Sequence, residues 1–408
     1  MAETVHGGRW TLQDRLDASL RELPFEVPAG SAGFTVELSY DRAAGVLDLG
    51  CLGPGGASFH GWSGGARDRF SIATDWATPG YLPPAGGELA PGDWRVLLRL
   101  HRIPPGGLDY EVRVSVTGTR PPRPAEPGPP TPGRRPPRRE MPTVDGMRWL
   151  AGDCHSHSVH SDGALTIPEL AALAAGRGLD FLAVTDHNTT SHHRELPGVG
   201  LRHDITLVPG QEVTTDAGHA NAFGDIGWVD FRRPVDEWLA HAERAGGVLS
   251  VNHPLGGDCA WRTPFAGTRP RHAEVWHSGW SDRRWGAPLA WAQVWRPDVV
   301  AIGGSDFHRH GDNGLPGDPT TWVLAADDSP TAVVAALAAG RTAVSAAPDA
   351  PLLLRLGDEL LALDAEGTVL VRPDGRRQVL HGNRVVLAAT AGPHRLETHE
   401  NEVIALCQ

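Results

Sequence analysis

The sequence predicts an α/β protein in which a parallel sheet with helices lies between two all-β segments. Residues 33 to 118 look all-β, and the runs 34–40 and 110–116 alternate apolar and polar side chains with the two-residue period of half-buried strands. From about residue 145 to 346, short apolar runs alternate with helical patterns. A stretch rich in proline and arginine separates these regions. The predicted boundaries are therefore 1–119, 120–143, 144–347 and 348–408.

Composition narrows the classes of function. The 408 residues suffice for two or three domains. The formal net charge of −12 argues against a general nucleic-acid binder, which would present a basic face. The four cysteines are scattered and form no disulfide framework, and the sequence has no apolar run of about 18 residues for a membrane span. The first residues lack the pattern of a signal peptide. We expect a cytoplasmic protein that acts neither on long nucleic acids nor in a membrane.

The first segment, 1–119, is predicted to be a β-sandwich. The clearest strand patterns are 34–40, 94–100 and 110–116. Turn signals such as Pro79-Gly80 and Pro91-Gly92 separate such runs. Half-buried strands of this kind bury their apolar faces by packing two sheets together.

The second segment, 120–143, is predicted to be a linker. Nine prolines and six arginines occur within residues 120–140. Such a composition forms no core and favours an extended, solvated chain. The Arg134-Arg135 and Arg138-Arg139 doublets either keep this tether soluble, which we favour, or contact an acidic partner.

The third segment, 144–347, alternates strands and helices. Helix patterns cover 165–178, 234–245 and 330–339, and strand patterns cover 179–184, 205–208, 247–251 and 298–302. This alternation favours a parallel sheet, open or closed into a barrel. In barrels the chemistry takes place at the carboxyl ends of the strands. The last segment, 348–408, has short β runs and is predicted to be a small β appendage.

Five polar patches follow apolar runs in the third segment and supply imidazole or carboxylate groups. They are His155-Ser156-His157 with Asp162, Thr185-Asp186-His187-Asn188, Gly210-Gln211-Glu212, Asn252-His253-Pro254, and Ser305-Asp306-Phe307-His308. These groups bind divalent metals such as zinc, iron or manganese. Five such patches in order, each at the end of a predicted strand, indicate one metal site.

The spacing within the patches supports convergence. His155 and His157 are two residues apart, so on a strand both side chains point to one face, and Asp306 and His308 repeat this spacing. The same alternation places Cys154 on the opposite face, where we expect it to pack in the core. Glu212 is the one acid of its patch and can bridge two ions. His219 lies in another strand-like segment soon after Glu212.

With these motifs the chain resembles the PHP (polymerase and histidinol phosphatase) superfamily of metallohydrolases, and within it the CehA/McbA branch. The resemblance covers residues 150 to 310 and, more loosely, the tail and the N-terminal module with Thr78-Pro-Gly-Tyr81. It implies a distorted (β/α)7 barrel and two or three divalent ions (Zn, Mn or Fe). By position, one ion is held by His155, His157, Glu212 and Asp306, a second by Glu212, His219 and His253, and a third by Asp162, His187 and His308.

The ligand set predicts a metal-dependent hydrolase. A water that bridges two cations loses a proton near neutral pH, while the ions polarise the bond to be cleaved. Asp186, His219 and His308 are the candidate catalytic groups. Asp186 is expected either to orient a ligand histidine or to carry a proton; the alternative is that it caps a helix. The favoured reaction is hydrolysis of a small phosphomonoester or nucleotide. The alternatives are carboxyl-ester or carbamate hydrolysis at the same metals, and a partner-binding protein with a structural metal site. The oligomeric state is left open.

Two further groups of residues are candidates for substrate contacts. Six tryptophans lie between residues 261 and 295, of which most are expected to pack helices, while Trp261 and Trp280 are candidates to line a pocket. Arg262, Arg283 and Arg284 are candidates to clamp a phosphate. His192 and His193 are expected to be exposed loop residues; the alternative is that one of them reaches the substrate.

Overall fold

The structure, a computed structural model, describes residues 2–56, 58–125, 128, 130–131, 133–280, 283–284, 286–312 and 314–408. The chain divides into two compact units. Unit 1 comprises residues 1–128 together with the short segments 159–162 and 186–192. Unit 2 comprises the remainder.

Unit 1 contains two four-stranded antiparallel sheets, with strand orders β1-β8-β3-β6 and β2-β7-β4-β5. Their elements are β1 Ala2–Trp10, α1 Leu12–Asp17, β2 Leu20–Val27, β3 Gly33–Tyr40, β4 Val46–Leu52, β5 Phe59–Gly64, β6 Arg69–Ala73, β7 Gly92–Arg102 and β8 Leu108–Thr117. Alternate residues from both sheets, such as Val36, Leu49, Val96 and Val114, are fully buried in one core. The predicted strands 34–40, 94–100 and 110–116 thus correspond to β3, β7 and β8.

Five α-helices lie in the described part of unit 2. They are α2 Ile167–Gly176, α3 Leu196–His203, α4 Val235–Arg244, α5 Gly286–Trp295 and α6 Pro330–Ala338. The Thr166 hydroxyl accepts the Glu169 N–H in a capping box, and Ser329 caps α6. The predicted helices 165–178, 234–245 and 330–339 thus form, each within two residues of its expected ends.

The principal sheet of unit 2 is mixed rather than wholly parallel. Its first strands are β9 Arg148–Asp153, β10 Phe181–Val184, β11 Thr206–Thr215, β12 Gly218–Phe223, β13 Val248–Val251, β14 His272–His277, β15 Val300–Gly304, β16 Thr320–Ala325 and β17 Thr342–Ser345. The strands β9-β10-β11 and β13-β14-β15 are parallel, but β12 is antiparallel to both neighbours and β16 to β9. The prediction of a parallel sheet is wrong at β12, because the two residues between β11 and β12 are too few for a crossover.

The two ends of the row β9 to β15 meet beyond their last paired residues. Ser156, after β9, forms a parallel bridge with Phe307, after β15. The His157 N–H donates to the Phe307 carbonyl at 2.9 Å, and the Asp306 N–H donates to the His155 carbonyl at 3.0 Å. Because each of these segments carries two predicted ligands, the bridge brings both pairs to one end of the sheet.

The tail of the chain adds further strands to unit 2. They are β18 Leu352–Leu356, β19 Glu359–Leu363, β20 Val369–Val371, β21 Arg377–Val379, β22 Arg384–Ala388, β23 His394–Glu397 and β24 Val403–Cys407. Strand β24 pairs with β17, so β24-β23-β20-β21 extend the principal sheet, and β18-β19-β22 form a separate sheet. Buried leucines of this tail, such as Leu354, pack against Trp149 and Trp322. Among the described residues, no helix is long and apolar enough to cross a membrane.

The second half of the proline- and arginine-rich stretch packs on unit 2. Arg135 pairs with Asp180 at 2.5 Å and donates to the Asp204 carbonyl at 2.7 Å. Arg139 pairs with Asp364 and lies over the Trp322 ring. The interpretation as a solvated tether is therefore wrong for these residues, because acidic groups of the same chain hold them. Residues 126, 127, 129 and 132 of the predicted linker lie outside the described residues.

We expect Arg135→Ala to lower the free energy of unfolding by about 1–3 kcal/mol, since it leaves the largely buried Asp180 carboxylate with a poorer set of partners. Urea unfolding is the measurement. Arg134→Ala is the matched control, because Arg134 is exposed. Equal stability of the two variants would contradict the docking of this segment.

Candidate metal centre

Four predicted ligands of unit 2 converge at the carboxyl ends of the strands. His155 Nε2 lies 3.1 Å from His157 Nε2 and 3.1 Å from Asp306 Oδ1. Glu212 Oε1 lies 3.2 Å from His155 Nε2, and its other oxygen lies 3.6 Å from His157 Nε2. Metal bonds of about 2.0–2.1 Å in a tetrahedral site separate ligand atoms by about 3.3 Å. The ligand atoms of His155, His157 and Asp306 thus lie close enough together to hold one divalent ion, and Glu212 lies beside them.

A second set shares Glu212 with the first. Glu212 Oε1 lies 3.2 Å from His219 Nδ1 and 3.2 Å from His253 Nε2. The Asn252 side-chain amide donates to the same oxygen at 2.8 Å, which fixes the carboxylate. Glu212 is fully buried and contacts ligands of both sets. This position suits a carboxylate that bridges two ions.

Glu274 holds the first set in place and was not found by sequence reasoning. Its Oε1 accepts from His155 Nδ1 at 3.1 Å, and its Oε2 accepts the His253 backbone N–H at 2.7 Å. A proton on His155 Nδ1 leaves the Nε2 lone pair free for a metal, the usual carboxylate–histidine–metal arrangement. The signal in the sequence was a single acid inside the apolar strand β14.

His277, at the end of β14, was also missed. Its Nδ1 accepts the Gly279 N–H at 3.0 Å, and its Nε2 lies 3.2 Å from Asp306 Oδ2. The neutral ring therefore carries its proton on Nε2 and donates it to Asp306. In this tautomer His277 orients the Asp306 carboxylate, whose Oδ1 faces His155 and His157.

The electrostatics of the site favour a cation. Burial lowers the pKa of His155, but the carboxylates of Asp306 and Glu212 outweigh it and raise this pKa well above its ordinary value. Burial raises the pKa of Asp306, yet the adjacent His155 and hydrogen bonds from neighbouring histidines hold this pKa well below its ordinary value. The negative potential that favours a proton on His155 also favours a divalent ion at the same point.

The residues predicted for a third ion lie in both units. Asp162 and His187 belong to unit 1, where Asp162 Oδ1 lies 3.5 Å from His187 Nε2. His308 belongs to unit 2; its Nδ1 donates to the Asp306 carbonyl at 2.8 Å, and its ring stacks on His157 at 4.2 Å. In this tautomer the ring lone pair of His308 lies on Nε2. Their assignment to one ion stays a prediction.

The structure also tests the predictions for Asp186, His192, His193 and Cys154. Asp186 caps no α-helix; its carboxylate accepts from Ser161 Oγ at 2.6 Å and lies 3.3 Å from His192 Nδ1. The expectation that His192 is exposed is wrong, because it is fully buried beside Asp186. His193 is half-buried, with Nε2 2.9 Å from the Gly210 carbonyl. Cys154 is buried in an apolar cluster, which confirms its packing role.

The candidate substrate residues have other partners. Trp261 stacks on Phe265 with ring centres 5.5 Å apart, and the Trp280 ring lies 6.5 Å from His277. Arg262 donates to the Asp216 carbonyl. Trp285 lies outside the described residues. A phosphate clamp that includes Arg262, Arg283 and Arg284 stays a prediction.

We expect Glu274→Ala to weaken metal binding by roughly 10- to 100-fold, because it removes the group that orients His155. Metal titration followed by calorimetry measures this. Glu243→Ala, an exposed residue of α4, is the control. Unchanged affinity in Glu274→Ala would show that His155 needs no orienting carboxylate.

Comparison with known proteins gives one curated relative and several solved structures. No family model matches the chain. It is 41% identical over 66 residues to a 3',5'-nucleoside bisphosphate phosphatase of Chromobacterium violaceum, a match that covers 16% of this chain and 23% of that enzyme. A two-domain protein of Bacteroides vulgatus, described as containing a predicted PHP-like metal-dependent phosphoesterase, is 19% identical with a TM-score of 0.42, over 68% of this chain and 91% of its own. An amidohydrolase of Chromobacterium violaceum is 18% identical with a TM-score of 0.29, over 40% and 89%. The sequence match thus relates a short part of the chain to a part of that phosphatase.

Proposed function

We propose that this chain is a metal-dependent hydrolase of the PHP superfamily that cleaves phosphoesters. The observation that carries the proposal is the convergence of His155, His157, Glu212 and Asp306, whose ligand atoms lie at metal-binding separations. The choice of phosphoesters rests on the 66-residue match to a nucleoside bisphosphate phosphatase. The substrate is a small phosphomonoester or nucleotide.

Divalent ions bound by these residues would supply positive charge to a phosphoryl oxygen and lower the pKa of a water molecule. Side chains of the protein orient the predicted ligands and are candidates to contact the substrate. Glu274 orients the His155 ring, and His277 orients the Asp306 carboxylate. His219 and His308, at the margin of the site, are candidates to bind substrate or carry a proton; His219 retains about a tenth of its side-chain exposure and His308 about a fifth.

Finer features belong to the same proposal. The seven strands β9 to β15, with the Ser156–Phe307 bridge, would form the distorted (β/α)7 barrel. The turn at Thr78–Tyr81 supports the CehA/McbA branch. Two or three ions of zinc, manganese or iron would occupy the ligand sets, and the enzyme would act in the cytoplasm.

We expect His155→Ala and Asp306→Ala each to lower kcat/KM by more than about a hundredfold, beyond the roughly 10- to 100-fold typical of groups that only orient a ligand. The cause is the loss of a ligand atom from the first set. His399→Ala, whose side chain is 87% exposed, is the control. Circular dichroism checks the fold of each variant. Full turnover with normal metal content in either ligand variant would exclude this site as the reaction centre.

The reaction type is tested with matched chromogenic esters: a phosphomonoester, a phosphodiester and a carboxyl ester. Each is assayed with manganese, with zinc and after chelation. We expect chelator-sensitive hydrolysis of a phosphoester. Turnover of the carboxyl ester alone would assign acyl or carbamate chemistry to the same ions. If the metal-bound protein hydrolysed none of the three esters, a structural metal site would be favoured.

A further inference from the structure

One turn of unit 1 contacts both short segments that carry Asp162 and His187. The Gly80 N–H lies 3.1 Å from Ser191 Oγ and 3.3 Å from His160 Nδ1. The Gly80 carbonyl accepts from Thr189 Oγ1 at 2.8 Å. His160 belongs to segment 159–162, and Thr189 and Ser191 belong to segment 186–192. Gly80 therefore hydrogen-bonds to the two segments 159–162 and 186–192, which are remote from it in sequence.

The two segments are also joined to each other. Ser161 Oγ donates to Asp186 Oδ1 at 2.6 Å, and Ser191 Oγ lies 2.7 Å from His160 Nδ1. Arg67, from the loop before β6, donates to the Val159 carbonyl at 2.5 Å. All of these contacts lie within unit 1. These contacts hold the residues directly before Asp162 and those on either side of His187. The ligand atoms of Asp162 and His187 are 3.5 Å apart.

The turn that makes these contacts is rigid. The Tyr81 N–H donates to the Thr78 carbonyl at 2.9 Å, and Gly80 has φ of 99°, as in a type II turn with proline at its second position. The Tyr81 ring stacks on Phe70 with centres 3.8 Å apart, and its hydroxyl donates to the Leu49 carbonyl at 3.0 Å. The turn is thereby locked into the core of unit 1.

Glycine is required at position 80 for a second reason. A Cβ atom there would lie 2.7 Å from the carbonyl oxygens of His160 and Trp62. Both are backbone atoms, so any larger residue must displace the main chain of segment 159–162 or of β5. The close approach is what allows the turn to reach both segments.

We propose that the Gly80 turn is a positioning element for metal binding: it sets the separation of Asp162 and His187 and so controls the occupancy of the ion that they bind. The inference rests on the proposed function, because it takes Asp162 and His187 as metal ligands.

The test measures metal bound per chain and its affinity, with no reference to activity. The full-length wild-type chain, Gly80→Ala, Asp162→Asn and Gly87→Ala are titrated with manganese and zinc, and the bound metal is counted by elemental analysis. Gly87→Ala is the matched control, because Gly87 also has a positive φ (71°) but nothing lies within 4 Å of a Cβ there. We expect Gly80→Ala and Asp162→Asn to lose the same ion, and Gly87→Ala to bind as the wild type does.

The outcomes separate the two proposals. A wild-type chain that binds no metal overturns the proposed function and this inference with it. Wild-type binding by Asp162→Asn overturns the inference, as does loss of an ion in Asp162→Asn that Gly80→Ala does not share. If Gly80→Ala does not fold, the double variant Thr189→Val/Ser191→Ala replaces it, with the exposed Thr119→Val as control. The loss of each hydrogen bond is then expected to lower the affinity for that ion by roughly threefold to tenfold. Unchanged affinity overturns the inference.

Discussion

The structure of unit 2 is organised around buried carboxylates that face imidazoles at one end of its sheet. Glu212 and Glu274 are almost wholly buried, and Asp306 faces three histidine rings at 3.0–3.2 Å. Burial of ionised carboxylates is unfavourable unless a compensating charge is present. Divalent ions would supply that charge, and predicted ligands lie in β11 and directly after β9, β13 and β15. The fold therefore places on these strand ends a charge pattern that packing alone would not favour.

Two acidic residues that are not predicted to bind an ion, Asp153 and Glu274, hold the segments with the predicted ligands in place. Asp153, at the end of β9, accepts the backbone N–H groups of His155 and Ser305 at 3.0 Å and that of Gly317 at 2.8 Å. Burial raises its pKa to about 6. Because Asp153 binds both the segment after β9 and the segment after β15, it joins the two segments that carry His155 and Asp306. Glu274 makes the same kind of link between His155 and the segment after β13.

The part of the site that the sequence predicted is the part with local signals. His155 with His157, and Asp306 with His308, follow apolar strands at a two-residue spacing, so the pattern alone placed them together. Glu274 and His277 gave no such signal, because their role depends on the pairing of β14 with its neighbours. The ion pair of Arg135 could not be predicted for a similar reason. The composition of its segment predicts an extended chain, and Asp180, the partner of Arg135, is 45 residues away in sequence.

The backbone at two of the predicted ligands argues further that these residues serve more than packing. His253 has φ of 24° and Asp306 has φ of 52°, conformations that non-glycine residues seldom adopt. Each costs on the order of 1–3 kcal/mol and persists only where the surroundings enforce it. Here the enforcing bonds are those of the site itself: the His253 N–H donates to Glu274, and the Asp306 N–H donates to the His155 carbonyl. Since the same contacts orient the ligands and hold the strained backbone, ligand geometry and local fold form one interdependent arrangement, so a change in one ligand reaches the others through the main chain.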